Sequence, residues 1–168
     1  TAMSGAILHI LNDALMTLCV FLAVGAVSRK LGRLYIEDLA GLFKKMPFTM
    51  AGFVAGGISI IGVPPTCGFF SKWYLILGAI EANSYGFVAA LIISSLINVA
   101  LFFRIIETAF MGNPHTAAIG HEWTSGIQEV SLTTLVPLLV VTTGLVILGI
   151  FSGVVVTQVI RPGLTGVF

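Results

Sequence analysis

Charge is scarce in this chain. Of its 168 residues, eight are Lys or Arg and seven are Asp or Glu, 9% in all, while 57% are hydrophobic. A soluble domain carries about a quarter of its residues as charges, so this composition excludes one and points to a membrane protein. A formal net charge of +1 supplies no basic field for nucleic acid, and no RNA- or DNA-binding motif is present. Cysteine is scarce too. Cys19 and Cys67 both lie inside apolar segments, with the spacing of neither a metal site nor a disulfide framework, and read as small packing residues. His115, His121 and Glu122 match no zinc spacing and read as a solvated loop. No nucleophile–base pair, phosphate loop or cofactor motif appears, so the chain is expected to carry no bond chemistry, metal or cofactor of its own. An apolar segment starts almost at Thr1, with neither a basic leader nor a cleavage site ahead of it, so the chain reads as a piece of something longer.

What the sequence does have is long apolar runs. A hydrocarbon core about 30 Å thick needs roughly 20 helical residues to cross it. Four stretches meet that length, near residues 3–28, 48–82, 86–110 and 132–160. The expected fold is therefore all-α, a single transmembrane domain over residues 1–168 with four spans. The connection 29–47 holds Arg29, Lys30, Arg33, Lys44 and Lys45, which by the positive-inside rule turns it to the cytoplasm.

The second stretch is too long for one upright helix. About 35 residues at 1.5 Å each would reach roughly 50 Å. Within it lies "GVPPTCGFFSKWYL", residues 62–75, whose Pro64 and Pro65 remove two backbone donors and whose Gly68 leaves the freed backbone room to turn. Two half-helices, roughly 48–62 and 69–82, are expected, joined by unwound chain that must face protein or a wet cavity.

Lys72 follows that break. A lysine at mid-membrane costs about 2.5–3.5 kcal/mol on insertion scales, so its default reading is functional. Carbonyls ending the first half-helix attract it, the start of the second repels it, and desolvation adds to the repulsion, a setting for an amine that exchanges a proton. Snorkelling to an interface is the alternative. In the first span, "HILNDALMT" sets His9, Asp13 and Thr17 at i, i+4 and i+8, one helical face with about 6 Å between positions. Titratable groups at one-turn intervals suit a hydrated proton path; a structural cluster with Asn12 or another helix is the alternative. Arg104 and Glu107, at i and i+3, can form an ion pair or serve as a station for charge.

Three segments carry a resemblance: "GAILHILNDALMTLCVFLAVGAV", "LAGLFKKMPFTMAGFVAGGISIIGVPPTCGFFSKWYLILGAIE" and "NVALFFRIIETAFMGNP". Together they resemble the C-terminal part of the antiporter-like, proton-translocating membrane subunits shared by respiratory complex I, multi-subunit cation/proton antiporters and membrane-bound hydrogenases. The resemblance spans roughly residues 3–114; residues 115–168 match only as a further span. Family members have about fourteen helices, including two inverted five-helix repeats, each with a broken helix and its own half-channel. The resemblance implies that this chain supplies the latter part of the second repeat, in a split subunit or as the tail of a larger one. It matches Lys72 to the lysine or glutamate of the second broken helix, near the outward exit, and His9 to a histidine of the central hydrophilic axis. Asp13 stands where the family commonly has a second histidine and Thr17 where it has a lysine. That departure leaves Asp13, paired with His9, as the group that would substitute.

The function expected is translocation of protons, or protons coupled to sodium, along His9, Asp13, water and Lys72, in a prokaryotic cytoplasmic membrane. Lipid and other membrane subunits of a multi-subunit complex are the expected partners, and nucleic acid is not. The alternative is a non-conducting subunit that scaffolds such a complex.

Overall fold

A computed structural model describes residues 2–32, 35–111, 128–160 and 162–163. Among them the chain is helical. Helix α1, Ala2–Leu31, is followed by one 3-10 turn at Ile36–Leu39 and a short α2, Leu42–Lys45. Then come α3, Pro47–Ile61, and α4, Cys67–Glu81, each of 15 residues. Helix α5 is Tyr85–Met111 and α6 is Leu132–Ile150, after which a turn at Ser152–Val154 runs into a π-helical segment, Val155–Ile160. Three of these helices, α1, α5 and α6, are long and apolar enough to cross a membrane.

The stretch read as one long second span is thus two helices separated by residues 62–66. At 1.5 Å per residue each reaches about 22 Å, short of a full crossing. Pro47 opens α3 at a position where a missing N–H is harmless, and Gly62 closes it with φ 93°, the left-handed conformation that stops a helix. The expected room for turning at Gly68 is not what that residue supplies. Gly68 lies in the first turn of α4, and a Cβ there would fall 1.8 Å from the Ser59 carbonyl oxygen. Its small size lets α3 and α4 touch backbone to backbone; the turn itself is made at Gly62.

The last apolar run is not one helix over 132–160. It stops at Phe151, where φ −92° and ψ 11° leave the helical path. Gly149, just before that stop, presses on the 62–66 link: a Cβ there would meet the Pro65 carbonyl at 2.0 Å. Helix α1 is the centre of the packing, with α3, α4 and α6 against it. Met16, Cys19, Ala23, Ala26 and Val27 of α1 meet Met50 and Phe53 of α3 and Leu138 and Leu145 of α6 in one buried cluster. Cys19 and Cys67 are free thiols within this packing. Helix α5 lies at the edge, its apolar side chains largely exposed.

Candidate functional site

Breaking a helix inside apolar surroundings leaves backbone groups that must find partners. Here several of them are traceable. The amides of Gly62 and Val63 both donate to the Ile58 carbonyl, Thr66 N–H donates to Val63 O, and Phe69 N–H to Thr66 O. The Thr66 hydroxyl adds a second bond to Val63 O at 2.7 Å. Side chains supply further partners.

Lys72 supplies the largest share. From the second turn of α4 its stem runs back past Gly62, and Nζ donates to Ile60 O at 2.7 Å and Ile61 O at 3.2 Å, the last carbonyls of α3. A third bond, 2.9 Å, goes to Ser95 Oγ on α5. An ammonium has three donors, and all three are used. The cation sits at the negative end of the α3 dipole, where opposite charge is favoured. The same amine lines a cleft of about 220 Å³ between α4 and α5, walled mostly by apolar side chains such as Phe69, Trp73 and Leu96.

The neighbouring residue of α4 connects the break to α1. Ser71 is buried, 3.0 Å from His9 Nδ1, and its hydroxyl can donate to Gly68 O at 3.2 Å. When the one hydroxyl proton goes to Gly68, His9 Nδ1–H is the donor to Ser71 and Nε2 is left to exchange a proton. His9, Asp13 and Lys72 lie within electrostatic reach of one another. Asp13 is exposed and Thr17 half-buried on the same helix. The fold thus sets His9 and Asp13 within electrostatic reach of Lys72 and not in contact with it. Arg104 and Glu107 are exposed on α5, with no ion pair between them among the described residues. His115, His121 and Glu122 lie outside the described residues, as does Arg33.

Asn12 is a participant that the sequence offers only as a structural partner. It is fully buried, and its Nδ2 donates to the Cys67 carbonyl at 2.9 Å, tying α1 to the start of α4. Its Oδ1 is the buried side-chain oxygen without a partner among the described residues. Rotating the amide would set two acceptors face to face, so this orientation is the one the contact demands. Ser71 and Ser95 were equally invisible in sequence, since a serine in an apolar helix reads as packing.

The family model for "NADH:quinone oxidoreductase/Mrp antiporter, TM" matches residues 1–98. NADH-quinone oxidoreductase subunit N of Desulforudis audaxviator is 43% identical over 169 residues, covering 97% of this chain and 34% of that protein. A Na(+)/H(+) antiporter subunit of Alkalihalophilus pseudofirmus is 33% identical over 111 residues, 66% of this chain and 22% of that one. The chain therefore spans between about a fifth and a third of the length of these curated relatives. Among solved structures, an archaeal membrane-bound sulfane sulfur reductase complex contains a chain that superposes with TM-score 0.81 at 28% identity, over 95% of this chain and 31% of that chain. A chain of the Mrp complex from Dietzia sp. DQ12-45-1b gives TM-score 0.79 at 20% identity, over 92% and 36%, a likeness of fold.

Proposed function

Because this chain belongs to the NADH:quinone oxidoreductase/Mrp antiporter family of transmembrane subunits, we propose that it carries part of a route for protons, or protons coupled to sodium, across a membrane. It does so beside other membrane subunits of a redox-driven or antiporter complex, in a prokaryotic cytoplasmic membrane with residues 29–47 on the cytoplasmic side. Helices α3 and α4 together make one discontinuous span, which with α1, α5 and α6 gives four. The reading asks for no cofactor and no bond chemistry on this chain.

One observation carries the proposal: a lysine amine stands at a helix break inside an apolar bundle, with His9 and Asp13 in electrostatic reach. Such a group is expensive to bury and is kept where charge must move. In the mechanism, a proton passes along His9, Asp13 and intervening water to Lys72. Lys72 gives it up on the far side when a neighbouring charge repels it. The carbonyls of Ile60 and Ile61 hold the ammonium until then.

A non-conducting scaffold is the second reading. Two observations favour it: all three donors of Lys72 are engaged in bonds that a purely structural cap would also make, and Thr17 stands where a relay lysine is commonly found. Ion transport by the assembled complex separates the two. Lys72→Ala is expected to abolish transport while subunit assembly persists. Unchanged transport in that variant would end the conducting reading and leave the scaffold.

A further inference from the structure

Helix α3 is held at its two ends by charged side chains from other elements. At its C-terminal end is Lys72, described above. At the other end is Glu129, from the segment that leads into α6. Its Oε2 accepts the Phe48 N–H at 2.9 Å, while Oε1 accepts the Thr49 hydroxyl and, at 3.2 Å, the N–H of its own neighbour Val130. Phe48 and Thr49 lie in the first turn of α3, where amides have no partner within the helix. Thr49 is fully buried. A carboxylate at a helix start and an ammonium at its end each complement the helix dipole.

Between these ends α3 is packed on several sides: Met50 and Phe53 are buried in the core, and Phe53 lies against the Phe102 ring. It presents Gly52 to Leu138 of α6, Gly56 to Val20 of α1 and Gly57 to Phe102 of α5. Packing this close makes α3 move as a unit, and the grips at its two termini add to what sets its axial position. A helix moves as a rod. Displacement at Phe48 therefore arrives at Ile60 and Ile61, whose carbonyls lie 2.7 and 3.2 Å from the Lys72 amine. A shift of about 1 Å is enough to break either bond.

We propose that Glu129 is a positioning residue for Lys72: by gripping the first turn of α3 it fixes where the last carbonyls of that helix meet the amine. The inference rests on the conducting reading of Lys72 given above. Glu129 touches neither Lys72 nor any group in the proposed path, and acts through the helix between them. The charged groups that face Lys72 from α1 are His9 and Asp13; from α5 it meets the Ser95 hydroxyl. Lys44 and Lys45, on α2 just ahead of Pro47, are cations at the Glu129 end of α3.

The test is the pH profile of ion transport by the assembled complex carrying Glu129→Gln, measured beside Lys72→Ala. The glutamine amide has one acceptor oxygen, so whichever way it turns, either the Phe48 N–H or the Val130 N–H faces its NH2 group and loses its partner. Transport is expected to fall about threefold to tenfold, and its pH profile to move by about half a unit or more, because Lys72 then works with altered acceptors. A uniform fall at every pH, or full activity, overturns the positioning role while loss of transport in Lys72→Ala leaves the conducting reading standing. Unchanged transport in Lys72→Ala removes that reading, and this inference with it. Should Glu129→Gln fail to assemble, Glu129→Asp, which keeps the carboxylate but withdraws it by one methylene, is put to the same measurement. A displaced profile in that variant supports the role and an undisplaced one overturns it.

Discussion

Gly68→Ala tests the contact on which the break depends. An added Cβ would lie 1.8 Å from Ser59 O, 2.8 Å from Met16 Sδ and 2.8 Å from Ser59 C. Ordinary contact begins near 3.4 Å, so α3 and α4 must part by about 1.5 Å. Two of the three obstructing atoms are backbone and cannot rotate away. Overpacking of this kind costs about 1–3 kcal/mol, against which alanine regains up to roughly 1 kcal/mol of helix propensity. The net effect lies between about 0 and 3 kcal/mol, destabilising over most of that range. Function should suffer more. Lys72 lies one turn beyond Gly68 on the same helix, and the same separation would stretch its bonds to Ile60 O and Ile61 O past hydrogen-bonding range. Thermal unfolding and ion transport of the assembled complex provide the assay. The control is Gly25→Ala, where no heavy atom lies within 4 Å of the added carbon, and where unchanged or slightly raised stability is expected. If Gly68→Ala matches Gly25→Ala in stability and transports normally, the backbone contact between α3 and α4 is not what sets the lysine in place.

Two further substitutions probe the α1 side of the site. Asn12→Ala removes a buried side-chain bond to Cys67 O, a carbonyl in the first turn of α4 that keeps its helical partner, so a loss of about 0.5–1.5 kcal/mol is expected by thermal unfolding; a variant as stable as the parent would show that this tie between α1 and α4 contributes nothing. Asp13→Asn keeps the side chain's shape and deletes its charge beside His9 and Lys72, so transport should drop about tenfold or more with assembly intact. Normal transport and normal assembly together would assign Asp13 a structural role.

The positions at which sequence and structure part company share a cause. Glu129 stands three residues ahead of α6 and nothing in the sequence singles it out, yet its oxygens serve α3, 80 and 81 residues away. Gly68 reads as a residue of the turn and proves to be a contact surface. The run from 132 to 160 is apolar throughout, but helix α6 ends at Ile150, and Val156 and Ile160 beyond it pack on Leu8 of α1. In each instance the sequence shows the residue's chemistry and conceals its neighbour.

Apolar composition and run length were sufficient by themselves to specify a helical membrane chain, because hydrocarbon demands that every backbone bond be closed within a segment. Two adjacent prolines and a following lysine likewise announced a break with a charge beside it, since proline's missing N–H acts locally. Which acceptors that lysine finds, which helix Glu129 caps and which carbonyl Asn12 holds were decided only in the folded chain. Hydrogen bonds depend on distances of a few tenths of an ångström between residues far apart in sequence, and only the register of packed helices fixes those distances.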